Sequence, residues 1–259
     1  MSEPVRGDSA ASLAASLAMS LRALTPARVG LGRTGSSITT RDLLDFQRCH
    51  ALARDAVHAR LESAALTTAL SRITGDEVLC LHSAAADRAT YLQRPDLGRQ
   101  LDASSRKLLA DRGQCGSAGL ALIVADGLSA LAVERHAAPL LEEMLPRLPN
   151  WNLAPLCVVE QGRVAIGDEI GAALGAEIAV MLIGERPGLS SPDSLGAYIT
   201  WQPRPGRTDA ERNCISNIRA EGLSYAQAGA QLQVILEAAR RLRLTGVALK
   251  NEARLLQEG

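Results

Sequence analysis

From about residue 119 onward, short apolar runs alternate with amphipathic helical patterns, and this alternation restricts the chain to a small set of folds. The apolar runs are LALIVA (120–125), PLCVVE (155–160) and EIAVMLIG (177–184). Continuous apolar runs of this length are typical of strands that are buried on both faces. Strands that alternate with helices favour a parallel sheet with right-handed crossovers. We therefore predict an α/β fold with a parallel, Rossmann-like sheet.

The segments around these runs predict three helices and a further strand. The first helix covers 129–145, where Pro139 is expected to disturb it because proline lacks a backbone N–H. The second opens near Gly167, and the third runs from a cap at Ser224 through Leu242. AYITW (197–201) is the additional strand candidate.

The first third of the chain is predicted to be helical. Apolar residues at helical spacing predict helices over 40–61, 62–73 and 101–112, the last capped by either Ser104 or Asp102. The predicted organisation is therefore a flexible or amphipathic leader (1–28), a small helical N-terminal domain (29–112) and an α/β domain (113–259).

Within the leader, four leucines fall on one helical face: Leu13, Leu17, Leu21 and Leu24. That pattern fits a docking or packaging helix, and an Ala/Ser-rich frayed tail is the alternative. Glu3 and Asp8 stand where a secretory signal needs positive charge, and no apolar run is long enough to span a bilayer. We therefore expect a cytoplasmic protein.

Charge and motif content exclude several functional classes. The 28 basic and 28 acidic side chains balance, which argues against a dedicated nucleic-acid binder. Five scattered cysteines form no C-x-x-C pair, so reduced thiols are expected and neither disulfides nor zinc. G-x-S-x-G and H-E-x-x-H are both absent. The residues therefore indicate no catalytic side chain and no protein ligand to a metal.

Gly30, Gly32 and Gly35 match the dinucleotide-binding pattern G-x-G-x-x-G. That motif needs a strand before it and a helix whose N-terminus receives the pyrophosphate. Pro26 and Ala27 precede the glycines instead of a strand. A flexible or subunit-docking loop is therefore the better interpretation. The alternative hypothesis, a nucleotide-dependent oxidoreductase, rests on this weak match alone.

Ligands of α/β sheets bind outside the carboxyl ends of the strands. In this chain those ends are followed by Asp126-Gly127, 161–163 and 185–188. The region after Gly184 is rich in proline and glycine and has almost no helical period. Long polar segments inside compact domains are uncommon unless they are functional or disordered. Disorder fits poorly here, because apolar residues such as Leu195 and Trp201 would need burial. A ligand-binding or subunit-binding surface is therefore favoured over an ordered structural excursion.

The segments VADGLSA, GRVAIGDEIG, LIGERPGLSSPDSLGAY and PRPGRTDAERNCISNI closely resemble the light chain of ethanolamine ammonia-lyase, an adenosylcobalamin enzyme. VGLGRTGSS followed by LLDFQRCHALARDAVHA resembles the opening of the same family. The resemblance extends from about Val29 to Lys250 and is specific, since the GERPGLSSPDSL and ERNCISN segments are long and chemically unusual.

The resemblance implies a small subunit that pairs with a heavy chain carrying the ethanolamine site, with cobalamin at the boundary between the two chains. The implied cobalamin-contacting positions are Val164, Glu185 and Cys214, with Cys214 a packing contact rather than a cobalt ligand. The resemblance also implies conversion of ethanolamine to acetaldehyde and ammonia, and leaves open enclosure in a bacterial microcompartment. No histidine lies in a D-x-H-x-x-G pattern, so the cofactor is expected to keep its own base on cobalt.

A non-catalytic scaffold whose 185–217 segment binds only protein remains the alternative from a different functional class. Binding of cobalamin, seen as a shift in its absorption spectrum, would separate the two hypotheses.

Overall fold

The computed structural model describes residues 7–25, 27–112 and 118–250, and the chain divides into two compact units. The first unit comprises 1–54 with 188–191, and the second comprises 55–187 with 192–259. In the described part of the chain, no helix is long and apolar enough to cross a membrane. Cys49, Cys80, Cys157 and Cys214 are free thiols, as predicted, and Cys115 lies outside the described residues.

The first unit contains two helices and a small hairpin: α1 (Gly7–Leu24), β1 (Arg33–Thr34), β2 (Ser37–Ile38) and α2 (Thr40–His58), whose last residues belong to the second unit. The four leucines of the predicted leader face, Leu13, Leu17, Leu21 and Leu24, are all exposed. Gly35 adopts a φ of 65° in the turn of the hairpin. The glycine segment therefore belongs to a hairpin and not to a strand–helix junction, which agrees with the rejection of the dinucleotide motif.

The second unit is a six-stranded sheet with helices on both faces. Its strands are β3 (Leu79–His82), β4 (Ala118–Ala125), β5 (Cys157–Glu160), β6 (Ala176–Gly184), β7 (Leu195–Trp201) and β8 (Arg212–Ile218), in the spatial order β3-β5-β4-β6-β7-β8. Its helices are α3 (Ser63–Thr74), α4 (Arg88–Gln93), α5 (Ala103–Arg112), α6 (Ala130–Met144), α7 (Ile166–Ala173) and α8 (Tyr225–Leu242).

The chain is α/β as predicted, but its sheet is mixed rather than wholly parallel. Strands β3, β5, β4 and β6 pair in parallel, whereas β7 and β8 pair antiparallel to their neighbours. A parallel connection needs a crossover of a dozen or more residues, usually a helix. The proline- and glycine-rich segment after β6 forms no helix, so the chain returns directly as an antiparallel strand. Because β7 and β8 occupy much of 185–217, that region is less of a loop than its composition predicts.

Alternate residues of the central strands enter different cores. Leu120, Leu122 and Val124 of β4 pack in the core that includes α6 and α8. Ala121, Ile123 and Ala125 pack in the opposite core, which includes α7. The helices that follow β4 and β5 therefore cover opposite faces of the sheet, although the two strands are neighbours. This divergence opens a crevice at the carboxyl ends of the strands.

Several local predictions are confirmed and two are corrected. Ser224 caps α8 by accepting a hydrogen bond from the backbone N–H of Gln227, and Asp102 rather than Ser104 caps α5. Helix α6, however, continues through Pro139, because its buried apolar face holds it against the sheet. Strand β3 was not predicted, since it has only four residues and lies between helices. The domain boundaries at residues 28 and 112 stay a prediction, although β3 shows that 29–112 is not wholly helical.

Candidate functional site

A cavity of about 440 Å³ lies where the carboxyl ends of β4, β5 and β6 meet. It is lined by Tyr91, Gly127, Leu128, Arg163, Val164, Ile183, Gly184, Glu185, Arg186 and Tyr198. Most of these residues belong to the three loops that follow the parallel strands. The cavity therefore occupies the position at which α/β sheets bind ligands.

A buried ion pair holds two of these loops together. Asp126 is fully buried, and its Oδ2 lies 3.3 Å from Nη1 of Arg88, which also donates to the carbonyl of Gly127 at 2.8 Å. The other carboxylate oxygen of Asp126 accepts a hydrogen bond from the backbone N–H of Gly162 at 3.1 Å. Burial raises the pKa of Asp126 to about 6, while the charge of Arg88 acts in the opposite direction. The network fixes the loop after β4 to the loop after β5.

Close backbone packing fixes the loop after β6. A Cβ on Gly127, whose φ is 56°, would lie 2.2 Å from the carbonyl oxygen of Gly184. A Cβ on Gly184 would lie 2.1 Å from the carbonyl oxygen of Ser129. Only glycine permits this approach at either position. Glu185 is the next residue, so the same packing sets the place where its side chain begins.

The Glu185 carboxylate is oriented by two donors from different segments. Its Oε2 accepts hydrogen bonds from the hydroxyl of Ser194 and, at 3.2 Å, from the backbone N–H of Asn217. The backbone N–H of Glu185 donates to the carbonyl of Ser194 at 2.9 Å. Gly196 makes room for the side chain, because a Cβ there would lie 2.9 Å from Oε1. The result is an ordered acceptor at the wall of the cavity.

The structure brings together two of the three predicted site residues. Val164 and Glu185 both line the cavity, whereas Cys214 does not. Cys214 is exposed on β8 and lies opposite Tyr198 of β7, which does line it. Its Sγ lies 3.2 Å from the hydroxyl oxygen of Ser216. Burial and the hydrogen bond with Cys214 raise the pKa of the Tyr198 hydroxyl, so Tyr198 is a neutral donor.

Sequence reasoning missed Arg163 and Tyr91 as cavity residues. Arg163 directly precedes Val164, so its place after β5 was available from the strand pattern. Tyr91 belongs to α4, a helix of six residues that is too short to show a periodic apolar pattern in the sequence. Its hydroxyl donates to the carbonyl of Gly162 at 3.1 Å, and its ring lies 4.2 Å from the guanidinium carbon of Arg163.

The donors and acceptors around this cavity suit a ligand with many neutral polar groups. Glu185 is an acceptor, and Arg163 and Arg186 are donors. A corrin ring carries peripheral amides that offer both N–H and C=O groups, so these residues fit the edge of a cobalamin. Among the residues that the structure describes, no group of three or more His, Cys, Asp or Glu side chains is placed to hold a metal ion.

Fold and site together define an α/β protein with a cavity at the carboxyl edge of its sheet, where α/β proteins bind ligands. Residues 15–250 match the model of the family described as ethanolamine ammonia-lyase light chain (EutC). The chain therefore belongs to the ethanolamine ammonia-lyase light-chain family.

Curated relatives agree with this assignment, and each is described as an ethanolamine ammonia-lyase small subunit. The protein of Pseudomonas aeruginosa is 58% identical over 237 residues, covering 90% of this chain and 86% of its own length. That of Azotobacter vinelandii is 60% identical over 237 residues, covering 90% and 87%. That of Ralstonia nicotianae is 55% identical over 260 residues, covering 98% and 96%.

Proposed function

We propose that this chain is the light subunit of an adenosylcobalamin-dependent ethanolamine ammonia-lyase and that its cavity holds one flank of the cobalamin at the interface with a heavy chain. The observation that carries the proposal is that Val164 and Glu185, distant in sequence, line one cavity at the carboxyl edge of the sheet. Adenosylcobalamin, when bound, supplies the radical chemistry that converts ethanolamine to acetaldehyde and ammonia.

The residues of this chain bind and orient rather than catalyse. Glu185 is held as an acceptor by Ser194 and Asn217, so it is ready to take hydrogen bonds from corrin amide N–H groups. Val164 contributes apolar surface and backbone polar groups, and Cys214 makes a packing contact at the neighbouring strand. We also propose that the cofactor keeps its own base on cobalt; among the described residues that line the cavity there is no histidine.

The catalytic residues are proposed to lie on the heavy chain, with which this chain forms a hetero-oligomer. The purified light chain alone should therefore show no turnover of ethanolamine. Its proposed place of action is the cytoplasm, where the assembled enzyme acts in ethanolamine catabolism either free or inside a bacterial microcompartment.

The proposal is tested by titrating cyanocobalamin into the assembled heavy–light complex and following the absorption spectrum. Glu185→Ala should raise the dissociation constant of cyanocobalamin about tenfold or more, since hydrogen bonds to a charged group are worth roughly 1.5–3 kcal/mol. The KM for ethanolamine should change much less. Glu142→Ala, at an exposed position of α6, is the matched control and should leave the dissociation constant unchanged.

Two outcomes would contradict the proposal at different levels. An assembled wild-type complex that binds no cyanocobalamin would favour the alternative, a non-catalytic protein-binding scaffold. Binding by the wild type that Glu185→Ala leaves unaltered would overturn the assignment of Glu185. Assembly of each variant with the heavy chain, measured by size-exclusion chromatography, separates a loss of binding from a loss of fold.

A further inference from the structure

The side chain of Arg163 is held in one place by contacts on several sides. Its guanidinium lies over the ring of Tyr91, with the guanidinium carbon 4.2 Å from the ring centroid. Its Nη2 donates to the carbonyl of Tyr91 at 3.3 Å, and its backbone N–H donates to the carbonyl of Gly98 at 2.7 Å. The planar guanidinium suits this combination of ring stacking and hydrogen bonding in a way that a lysine ammonium does not.

The neighbourhood of Arg163 is shaped to admit it. A Cβ on Gly98 would lie 2.9 Å from Cγ of Arg163 and 3.0 Å from the ring of Tyr91, so the glycine leaves space for the arginine stem. Tyr91 is itself fully buried, and its hydroxyl donates to the carbonyl of Gly162. The Tyr91 ring on which the guanidinium stacks is therefore fixed within the core.

Despite these contacts, one hydrogen-bond donor of Arg163 has no acceptor among the described residues. Its Nε is buried and makes no hydrogen bond in the structure. A buried donor without an acceptor costs free energy, and such groups in native proteins usually reflect a function or a missing partner. Nε itself has no accessible surface, so it is the rest of the side chain, which lines the cavity beside Val164, that can meet the oxygen acceptors of a ligand there.

We propose that Arg163 is a cofactor-binding residue that donates hydrogen bonds to a peripheral oxygen of cobalamin, with Tyr91 as the residue that positions it. This inference rests on the function proposed above. It complements the role of Glu185, because a corrin amide offers an N–H group to the carboxylate and a carbonyl oxygen to the guanidinium. The nucleotide tail of the cofactor, with its phosphodiester and ribose, carries further oxygen acceptors.

The test measures dissociation constants for two ligands, cyanocobalamin and dicyanocobinamide, in the assembled heavy–light complex by absorption spectroscopy. Arg163→Met keeps the length of the side chain and removes its donors. It should weaken cyanocobalamin binding about ten- to a hundredfold. Cobinamide lacks the phosphodiester-linked nucleotide. Equal weakening for both ligands would assign the contact to an amide carbonyl of the corrin, and weakening for cyanocobalamin alone would assign it to the nucleotide tail.

Three further variants separate binding from structure. Arg204→Met removes the same charge at an exposed position outside the cavity and should leave both dissociation constants unchanged. Arg163→Lys keeps the charge but not the stacked fork, so its affinity should fall between that of the wild type and that of Arg163→Met. Tyr91→Phe keeps the ring and should retain most of the affinity, which identifies the stacking rather than the hydroxyl as the positioning contact.

If the wild-type complex binds cyanocobalamin and Arg163→Met binds it equally well, the inference is wrong while the proposed function stands. If the wild-type complex binds neither ligand, the proposed function itself fails. Each variant is compared only after size-exclusion chromatography shows that it assembles with the heavy chain.

Discussion

Two buried ion pairs stabilise different parts of the second unit, and they differ in how many partners each aspartate has. In the described part of the chain, Asp126 forms its ion pair with Arg88, and backbone N–H groups also contact its carboxylate. Asp168 pairs with Arg212, whose Nη2 lies 2.7 Å from Oδ2, and a hydrogen bond from Thr200 adds to this. The nearby charges of Arg207 and Glu211, which pair with each other, act on the pKa of Asp168 in opposite directions. Burial raises the pKa of each carboxyl group to about 6, so both are expensive to keep ionised.

This difference matters because the two pairs support different parts of the site. The pair of Asp126 and Arg88 joins the loops after β4 and β5, which border the cavity directly. The pair of Asp168 and Arg212 joins α7 to the strand that carries Cys214. The Asp126 pair thus relies on Arg88 and backbone N–H groups, whereas Asp168 also has a side-chain hydrogen bond from Thr200.

The largest effect is expected from Arg88→Met. It leaves the carboxylate of Asp126 buried without a counter-charge, which should lower the free energy of unfolding at pH 7 by about 3–5 kcal/mol. Urea unfolding of the full chain, followed by circular dichroism, measures the change. A loss below about 1 kcal/mol would mean that the backbone N–H groups alone hold this carboxylate.

The pH dependence of the stability of Arg88→Met tests the same explanation. In the wild type the folded-state pKa of Asp126 lies above its ordinary value of 3.8, so this group lowers stability as the pH rises from about 4 to about 6. Removing Arg88 removes the charge that lowers this pKa, so the pKa of Asp126 should rise further. The pH range over which ionisation of Asp126 lowers stability should then extend to higher pH. The deficit of the variant should therefore be larger at pH 8 than at pH 5, and equal deficits would refute this explanation.

A smaller effect is expected from Arg212→Met. Asp168 would keep the side-chain hydrogen bond of Thr200, so the loss should be about 1–3 kcal/mol. The same urea experiment measures it. A deficit as large as that of Arg88→Met would show that the hydrogen bond of Thr200 gives no compensation.

The smallest effect is expected from Arg94→Met. Arg94 and Asp96 form a 2.7 Å ion pair, but both side chains are more than half exposed. Water screens such pairs, so no measurable change in the urea midpoint should result. This variant is the control for loss of one positive charge at the surface, and a clear destabilisation would indicate that charge alone explains part of the other two effects.

The predictions from sequence succeeded where local chemistry decides the outcome. The apolar runs gave β4, β5 and β6, and the cap at Ser224 gave the start of α8. The predictions from sequence failed where packing between distant segments decides which element forms. Helix α6 continues through Pro139 because its apolar face is buried, and β3 exists because β5 pairs with it.

For the site, the resemblance named Val164, Glu185 and Cys214, and the strand pattern placed the loops that carry the first two. Neither indicated that Tyr91 would meet Arg163, because the two residues lie 72 positions apart and belong to different elements. The contact exists only after the sheet is assembled. The roles of all these residues toward cobalamin stay predictions that the binding experiments address.

The sequence by itself determined the family, the α/β class and the points where the central strands end, since these depend on short motifs and on the run lengths of apolar residues. Tertiary structure alone decided the antiparallel return of β7 and β8, the buried pair of Asp168 with Arg212 and the stacked arginine beside the cavity. The physical reason is that strand order and buried charge pairing depend on contacts between residues far apart in the chain, and those contacts form only when the sheet packs between its two layers of helices.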